Sequence, residues 1–156
     1  MAKTIKHDLT YDAPLADVAA MLLDPAFREE VCEYQRVLSH DVTVDGSHVT
    51  IKQVQPARGI PSFAAKFVGD EITIVQEEDW HSPDRGDIKV TIPGKPGHMK
   101  GTAVLVESGG TTTETVELTV KVAIPLVGGK IEGLIGDLPL KALKAENTVG
   151  RDYLSG

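Results

Sequence analysis

Over residues 112–122, Val116, Leu118, Val120 and Val122 alternate with Thr115, Glu117, Thr119 and Lys121. Successive side chains of a strand point to opposite faces, so this segment has one dry face and one wet one. Ile88, Val90 and Ile92 alternate in the same way with Asp87, Lys89 and Thr91. Strands are predicted over 4–11, 37–44, 49–54, 71–80, 87–92, 98–106 and 112–122. Turn signals separate most of them: Asp45-Gly46, Ser82-Pro-Asp-Arg-Gly86, Pro93-Gly-Lys-Pro-Gly97 and Gly109-Gly110. Consecutive strands joined by tight turns pair antiparallel, and their dry face must be covered by something else. No β-α unit repeats, which excludes a Rossmann fold and a (β/α)₈ barrel.

The cover is predicted at the far end of the chain. Over 127–154, apolar residues fall at Val127, Ile131, Leu134, Ile135, Leu138, Ala142, Ala145, Val149 and Tyr153. Steps of three and four trace one face of a long helix. Lys130, Glu132, Asp137, Lys141, Lys144 and Glu146 fall off that stripe, and so do Leu140 and Leu143. Pro139 is expected to kink the helix. Near the start, 14–23 reads as a helix with Val18, Met21 and Leu22 on one side. Asp24-Pro25 breaks it, and Pro25 opens a second short helix through about Tyr34. The order is strand, two short helices, six strands and a long helix. With 156 residues the chain reads as a single domain, 1–156. The fold class is α+β: a curved antiparallel sheet of about seven strands wrapped around the C-terminal helix, with a ligand pocket expected between them.

Charge and motifs exclude several functions. Lys and Arg total 16 against 23 Asp and Glu, a net charge of −7. That balance argues against a basic groove for nucleic acid and against a polybasic membrane patch. The start, Met-Ala-Lys-Thr-Ile-Lys-His-Asp, carries charge where a signal peptide needs an apolar run. No stretch approaches the roughly 20 apolar residues of a membrane helix, so a cytoplasmic protein without stable membrane insertion is expected. The five histidines and the single cysteine, Cys32, form no His-Glu-x-x-His or Cys-x-x-Cys pattern, and there is no Gly-x-Ser-x-Gly elbow. No cofactor and no metal are expected. A monomer or weak homodimer is expected; Leu140 and Leu143 read as a weakly exposed pair or as a contact to a partner subunit.

The element order, with Ile-Pro-Leu-Val-Gly-Gly-Lys-Ile-Glu from Ile124 to Glu132 leading into the last helix, resembles the helix-grip fold. That superfamily (START-like, or SRPBCC) holds START lipid-transfer domains, birch-pollen-type allergens and polyketide cyclases. The Ile5–Tyr11 strand, the Asp24-Pro25 break and Glu78-Asp-Trp80 resemble, more narrowly, a bacterial family of unknown function, DUF2505. The resemblance implies an apolar cavity between sheet and helix. It does not imply one activity, because activity varies across the superfamily.

Polar residues on inward-facing positions are the candidate site, since burying them is costly unless they are paired. His7 shares a face with Ile5, Leu9 and Tyr11. Gln76, Glu78 and Trp80 share a face with Ile72 and Ile74, and Gln53 shares one with Val49 and Ile51. A buried Glu78 would serve as an acid or base. Met99, Gly101 and Ala103 are expected to line the pocket, with Gly101 and Ala103 leaving room for a ligand or for the helix. Ile131, Leu134, Ile135 and Leu138 line it from the helix side. The apolar segment from Gly59 to Gly69, with Phe63 and Phe67, is expected to form a lid, with Arg58 at the rim. Gly129, Gly133 and Gly136 recur at helical spacing. The favoured function is binding or transport of a small hydrophobic ligand such as a lipid, an isoprenoid or a polyketide-like molecule. The alternatives are a cyclase or dehydratase using the same pocket, and a co-chaperone-like interaction module.

Overall fold

The structure, a computed structural model, describes residues 2–56, 69–94, 97–121 and 137–155. Strand β1 (Ala2–Tyr11) is followed by α1 (Leu15–Leu22) and α2 (Pro25–Tyr34). Six strands then run β2 (Ser39–Asp45), β3 (His48–Pro56), β4 (Glu71–Ser82), β5 (Arg85–Thr91), β6 (His98–Ser108) and β7 (Thr111–Lys121). The last helix, α3, is described over Asp137–Ser155. All pairings are antiparallel, in the order β1-β7-β6-β5-β4-β3-β2. Six consecutive strands thus form a meander, and β1 closes it by pairing with β7 from Ala2↔Lys121 to Tyr11↔Thr112. The seven-stranded antiparallel sheet expected from the alternation is observed, and with the C-terminal helix it gives the architecture that the helix-grip resemblance implies.

Local chemistry accounts for the joints. Asp24 caps α2, its Oδ1 accepting from Ala26 N at 2.9 Å, with Pro25 at the first helical position. Gly46 takes φ 58° in the two-residue loop between Asp45 and His48, a conformation that a side chain disfavours. The end of α2 is less well adapted. Arg36 holds φ 57°, the left-handed region, just past the C-cap residue Gln35. A Cβ there is costly, so Arg36→Gly is expected to raise stability by about 0.5–1 kcal/mol, read as a higher urea midpoint at unchanged slope.

The dry faces of the strands close on the helices. Leu9, Val49, Ala103 and Val116 are at most 1% exposed, as are Val18 and Met21 of α1 and Phe27 of α2. Helix α3 is pinned along β1: Asn147 Nδ2 and Arg151 Nε donate to Thr10 O at 3.0 and 3.2 Å. Tyr153 donates to Asp24 and meets the Phe27 ring edge-on at 5.6 Å between centroids. Two expectations for α3 are corrected. Glu146, placed off the apolar stripe, is 7% exposed, and Leu143 is 8% exposed. The helix packs against β1 on one side and α1 and α2 on the other, so its buried face is wider than a single stripe. Leu143 is therefore core rather than a surface contact, while Leu140 is half-buried.

Candidate functional site

The site builds up from one long side chain. Arg28 lies on the same side of α2 as Val31 and Cys32, three and four residues on, and is 3% exposed. Its Nε donates to Leu22 O at 2.9 Å, tying the end of α1 to α2. Its guanidinium reaches Glu78 Oε1 on β4 at 2.7 Å and Glu146 Oε1 on α3 at 3.5 Å. Glu78 also accepts from Trp80 Nε1 at 3.0 Å and from Gln76 Nε2. The register of β4 shifts between Trp80 and Ser82, beyond Glu78, so the carboxylate stays on the inner face. Gly86, opposite Trp80, leaves space for the indole: a Cβ there would sit 2.7 Å from the ring.

Two further residues complete the cluster. Glu114 on β7 shares the inner face with Thr112 and Val116 and is 3% exposed. Tyr11 on β1 is 1% exposed, and its ring packs where α3 carries Gly150, whose missing Cβ would lie 2.6 Å away. Glu114 Oε1 and Tyr11 Oη have no hydrogen-bond partner among the described residues. Three carboxyls thus face one guanidinium inside the protein.

Electrostatics follows from that count. Burial pulls the Arg28 pKa down, but Glu78, Glu146 and Glu114 more than reverse this and hold it above its ordinary value. Burial raises Glu114 well above the ordinary carboxylate range, and Glu146 and Glu78 push it further. Burial raises Glu146 to about 7, with Arg28 opposing and Glu78 adding. Burial, then Glu146 and Glu114, raise the Tyr11 phenol, which stays protonated. The cluster therefore carries a proton on its carboxyls near neutrality.

This has a consequence for stability. A carboxyl with a raised folded pKa favours the folded state fully below its unfolded value. That contribution is lost as pH rises from 4.5 through about 7. Glu146→Gln removes the dependence. Its melting temperature, measured between pH 4.5 and 8, is expected to fall less steeply than that of the parent, with a gain at pH 8 of about 1–3 kcal/mol.

A cavity lies beside the cluster, between the inner sheet face and α3. Its walls are Ile74, Ile88, Val90, Met99, Val116 and Leu118 from the sheet and Pro139, Ala142 and Leu143 from the helix. Gln53, Gln55, Gln76 and Glu146 supply its polar lining. The described walls enclose about 50 Å³, room for a few waters. That is below the roughly 300 Å³ or more of an ordinary ligand pocket. Leu143 and Glu146, both expected to point away, form part of its lining.

The expected site residues separate into groups. Gln53, Gln76 and Met99 line the cavity; Tyr11 and Glu78 belong to the buried cluster at its end. Trp80 donates into that cluster and also borders an open groove with Ala19 of α1, its C-cap residue Leu23 and Pro83. Ala103 is fully buried and His7 half-buried, and neither lines the cavity among the described residues. At Gly101 a Cβ would lie 1.7 Å from Glu117 O, so the space is occupied by the β7 main chain. Phe63, Phe67, Ile131, Leu134 and Ile135 lie outside the described residues, as do Arg58, Gly129, Gly133, Gly136 and residues 59–68 of the lid segment. Leu138 lies on α3 with its side chain outside the description. Cys32 is buried, which pushes its thiol up to about 11 and leaves it a poor nucleophile. No described helix is long and apolar enough to cross a membrane.

Arg28, Glu114 and Glu146 were not anticipated as site residues. Strand parity with Val116 signals Glu114, and helical spacing from Val31 and Cys32 signals Arg28. The family model DUF2505, described as a protein of unknown function, matches residues 6–154. The chain belongs to this family. The uncharacterized protein Rv0481c of Mycobacterium tuberculosis is 34% identical over 95 residues, 56% of this chain and 53% of that protein. The chain thus spans about half the length of the curated relatives it matches. Among solved structures, TTHA0849 from Thermus thermophilus aligns with TM-score 0.69 at 19% identity over 99% of both chains. Norcoclaurine synthase from Thalictrum flavum, in complex with dopamine and hydroxybenzaldehyde, aligns with TM-score 0.66 at 15% identity, covering 97% of this chain and 88% of that one. The Zhui aromatase/cyclase from Streptomyces aligns with TM-score 0.61 at 12% identity, covering 97% and 90%. These likenesses establish the helix-grip fold of the DUF2505 chain.

Proposed function

We propose that this DUF2505 protein binds a small, largely apolar molecule between the sheet and α3, with its polar end at Gln76 and Glu146. The observation that carries the reading is the cavity itself: an apolar wall from four strands and a helix, ending on a buried charged cluster. Apolar contact supplies most of the affinity at roughly 25 cal/mol per Å² buried, and the polar end sets orientation. The reading requires the gap of about 50 Å³ to widen several-fold around its occupant. Similarity in fold to an aromatase/cyclase and to a synthase that holds two small aromatic molecules is consistent with it.

Native mass spectrometry of gently purified protein tests it. A mass above the bare chain that disappears on solvent extraction is expected. Leu143→Trp, which fills the gap, is expected to abolish that excess while the protein stays folded. An undiminished excess in folded Leu143→Trp would place the molecule elsewhere and overturn the reading.

One observation favours a second reading, an enzyme of the cyclase or dehydratase kind. Glu146 lines the cavity and titrates at about 7, where a group serves equally well as general acid and base. On that reading Glu146→Gln retains binding and loses turnover by about 100-fold or more.

A further inference from the structure

A buried amide on the cavity wall uses only half of its hydrogen-bonding capacity. Gln53 is 6% exposed and stands on the inner face of β3 with Val49 and Ile51, in register with Ile74 of β4. Its Oε1 accepts from Gln55 Nε2 at 3.2 Å. An amide held by its oxygen turns its nitrogen, which carries two N–H donors, away from that contact. Gln53 lines the cavity, and its Nε2 meets no acceptor among the described residues. The neighbouring Gln76 is committed elsewhere: its Nε2 donates to Glu78, which also accepts from Arg28 and Trp80. A buried donor without an acceptor is destabilising. The missing partner at Gln53 is therefore an acceptor, and the cavity is where it can stand.

We infer that the cavity takes an uncharged ligand with a carbonyl oxygen, the oxygen accepting from Gln53 Nε2 and the hydrocarbon part lying along Ile74, Val90, Met99 and Leu118. This rests on the binding function proposed above and deepens it, naming the ligand class and the residue that selects it. A carbonyl oxygen accepts a hydrogen bond and needs no acceptor in return. An ammonium brings donors alone and leaves Gln53 Nε2 unpaired. A carboxylate accepts well, but enclosing its charge in an apolar gap beside Glu146 is costly. A pure hydrocarbon fits the walls and leaves the donor unmet. The bond from Gln55 adds to the selection, because a donor on Gln53 Oε1 polarises the amide and strengthens its N–H groups.

Two probes of nearly the same shape test it: cyclohexanone and methylenecyclohexane, which differ in a carbonyl oxygen against a methylene group. Both are titrated calorimetrically into the full chain at neutral pH. Gln53→Met keeps the length of the side chain and removes the amide. It is expected to weaken cyclohexanone at least about tenfold and to leave methylenecyclohexane within about threefold of the parent. Gln53→Leu, a second variant without a donor, is expected to do the same, and alkene binding shows that each variant keeps its cavity. In the infrared, the carbonyl stretch of cyclohexanone bound to the parent is expected at lower frequency than in Gln53→Met, where the oxygen has lost its donor. Three results overturn the inference and leave the cavity reading standing: binding of the alkene alone by the parent, cyclohexanone affinity that changes no more than that of the alkene, or the same stretching frequency in parent and variant. Binding of neither probe by the parent overturns both the inference and the proposed function.

Discussion

Arg28→Met is expected to leave the protein largely unfolded near neutral pH. Arg28 is 3% exposed and is the cation recorded against Glu78 and Glu146. Breaking a buried pair from one side leaves an uncompensated charge, at a cost of about 3–5 kcal/mol. The substitution also removes the 2.9 Å bond from Nε to Leu22 O that joins α1 to α2. A small domain has only about 5–15 kcal/mol in total. Thermal melts followed by circular dichroism at pH 7.5 and pH 5 measure the effect. Stability is expected to recover partly at pH 5, because carboxyls without their cation take up protons more readily. Adding Glu78→Gln in the Arg28→Met background is expected to restore folding at pH 7.5. A single variant within about 1 kcal/mol of the parent would show that the cluster does not depend on its cation.

Gly101→Ala is the second large effect, and its origin is main chain rather than charge. A methyl group at Gly101 would lie 1.7 Å from Glu117 O and 2.9 Å from Leu118 Cα, both backbone atoms of β7. Gly101 pairs with Leu118 on one side and Ile88 on the other, in the middle of the sheet. Relief requires β6 and β7 to separate or the Glu117 peptide to turn, and either breaks ladder bonds in a strand paired on both sides. A loss of about 3 kcal/mol or more is expected, read from urea unfolding. A loss below about 0.5 kcal/mol would mean that the two strands relax apart freely.

The effects of these two positions were not equally legible in advance. Strand alternation predicts the side to which Val116, Ile88 and Glu78 turn, and the structure keeps those sides. The same parity puts Gly101 beside Met99 and Ala103, but alternation says nothing of how closely a neighbouring backbone approaches a residue without a Cβ. Glu114 was legible in principle, because it shares the parity of Val116. Arg28 was legible through its spacing from Val31 and Cys32. Neither stands out as a site residue alone, since a charged residue on a partly apolar face is ordinarily solvated.

Glu146 shows where local pattern stops. A stripe through Ala142, Ala145 and Val149 leaves it one position outside, and that stripe describes a helix packed on one side. Here α3 is held by β1 and also by α1 and α2, so the buried sector widens to include Leu143 and Glu146.

Sequence periodicity alone determined the order of the elements, the wet and dry sides of each strand and the need for a helix to cover the sheet. These follow from backbone geometry that repeats every two or 3.6 residues, and a chain carries that information locally. The tertiary structure alone decided that Tyr11, Arg28, Glu78, Glu114 and Glu146 converge on one buried cluster. Those residues come from five different elements, brought together by β1 closing onto β7 and by α3 packing on β1 and α2. Their charge balance, and the proton the carboxyls hold near neutrality, exist only once water has been excluded from all five together.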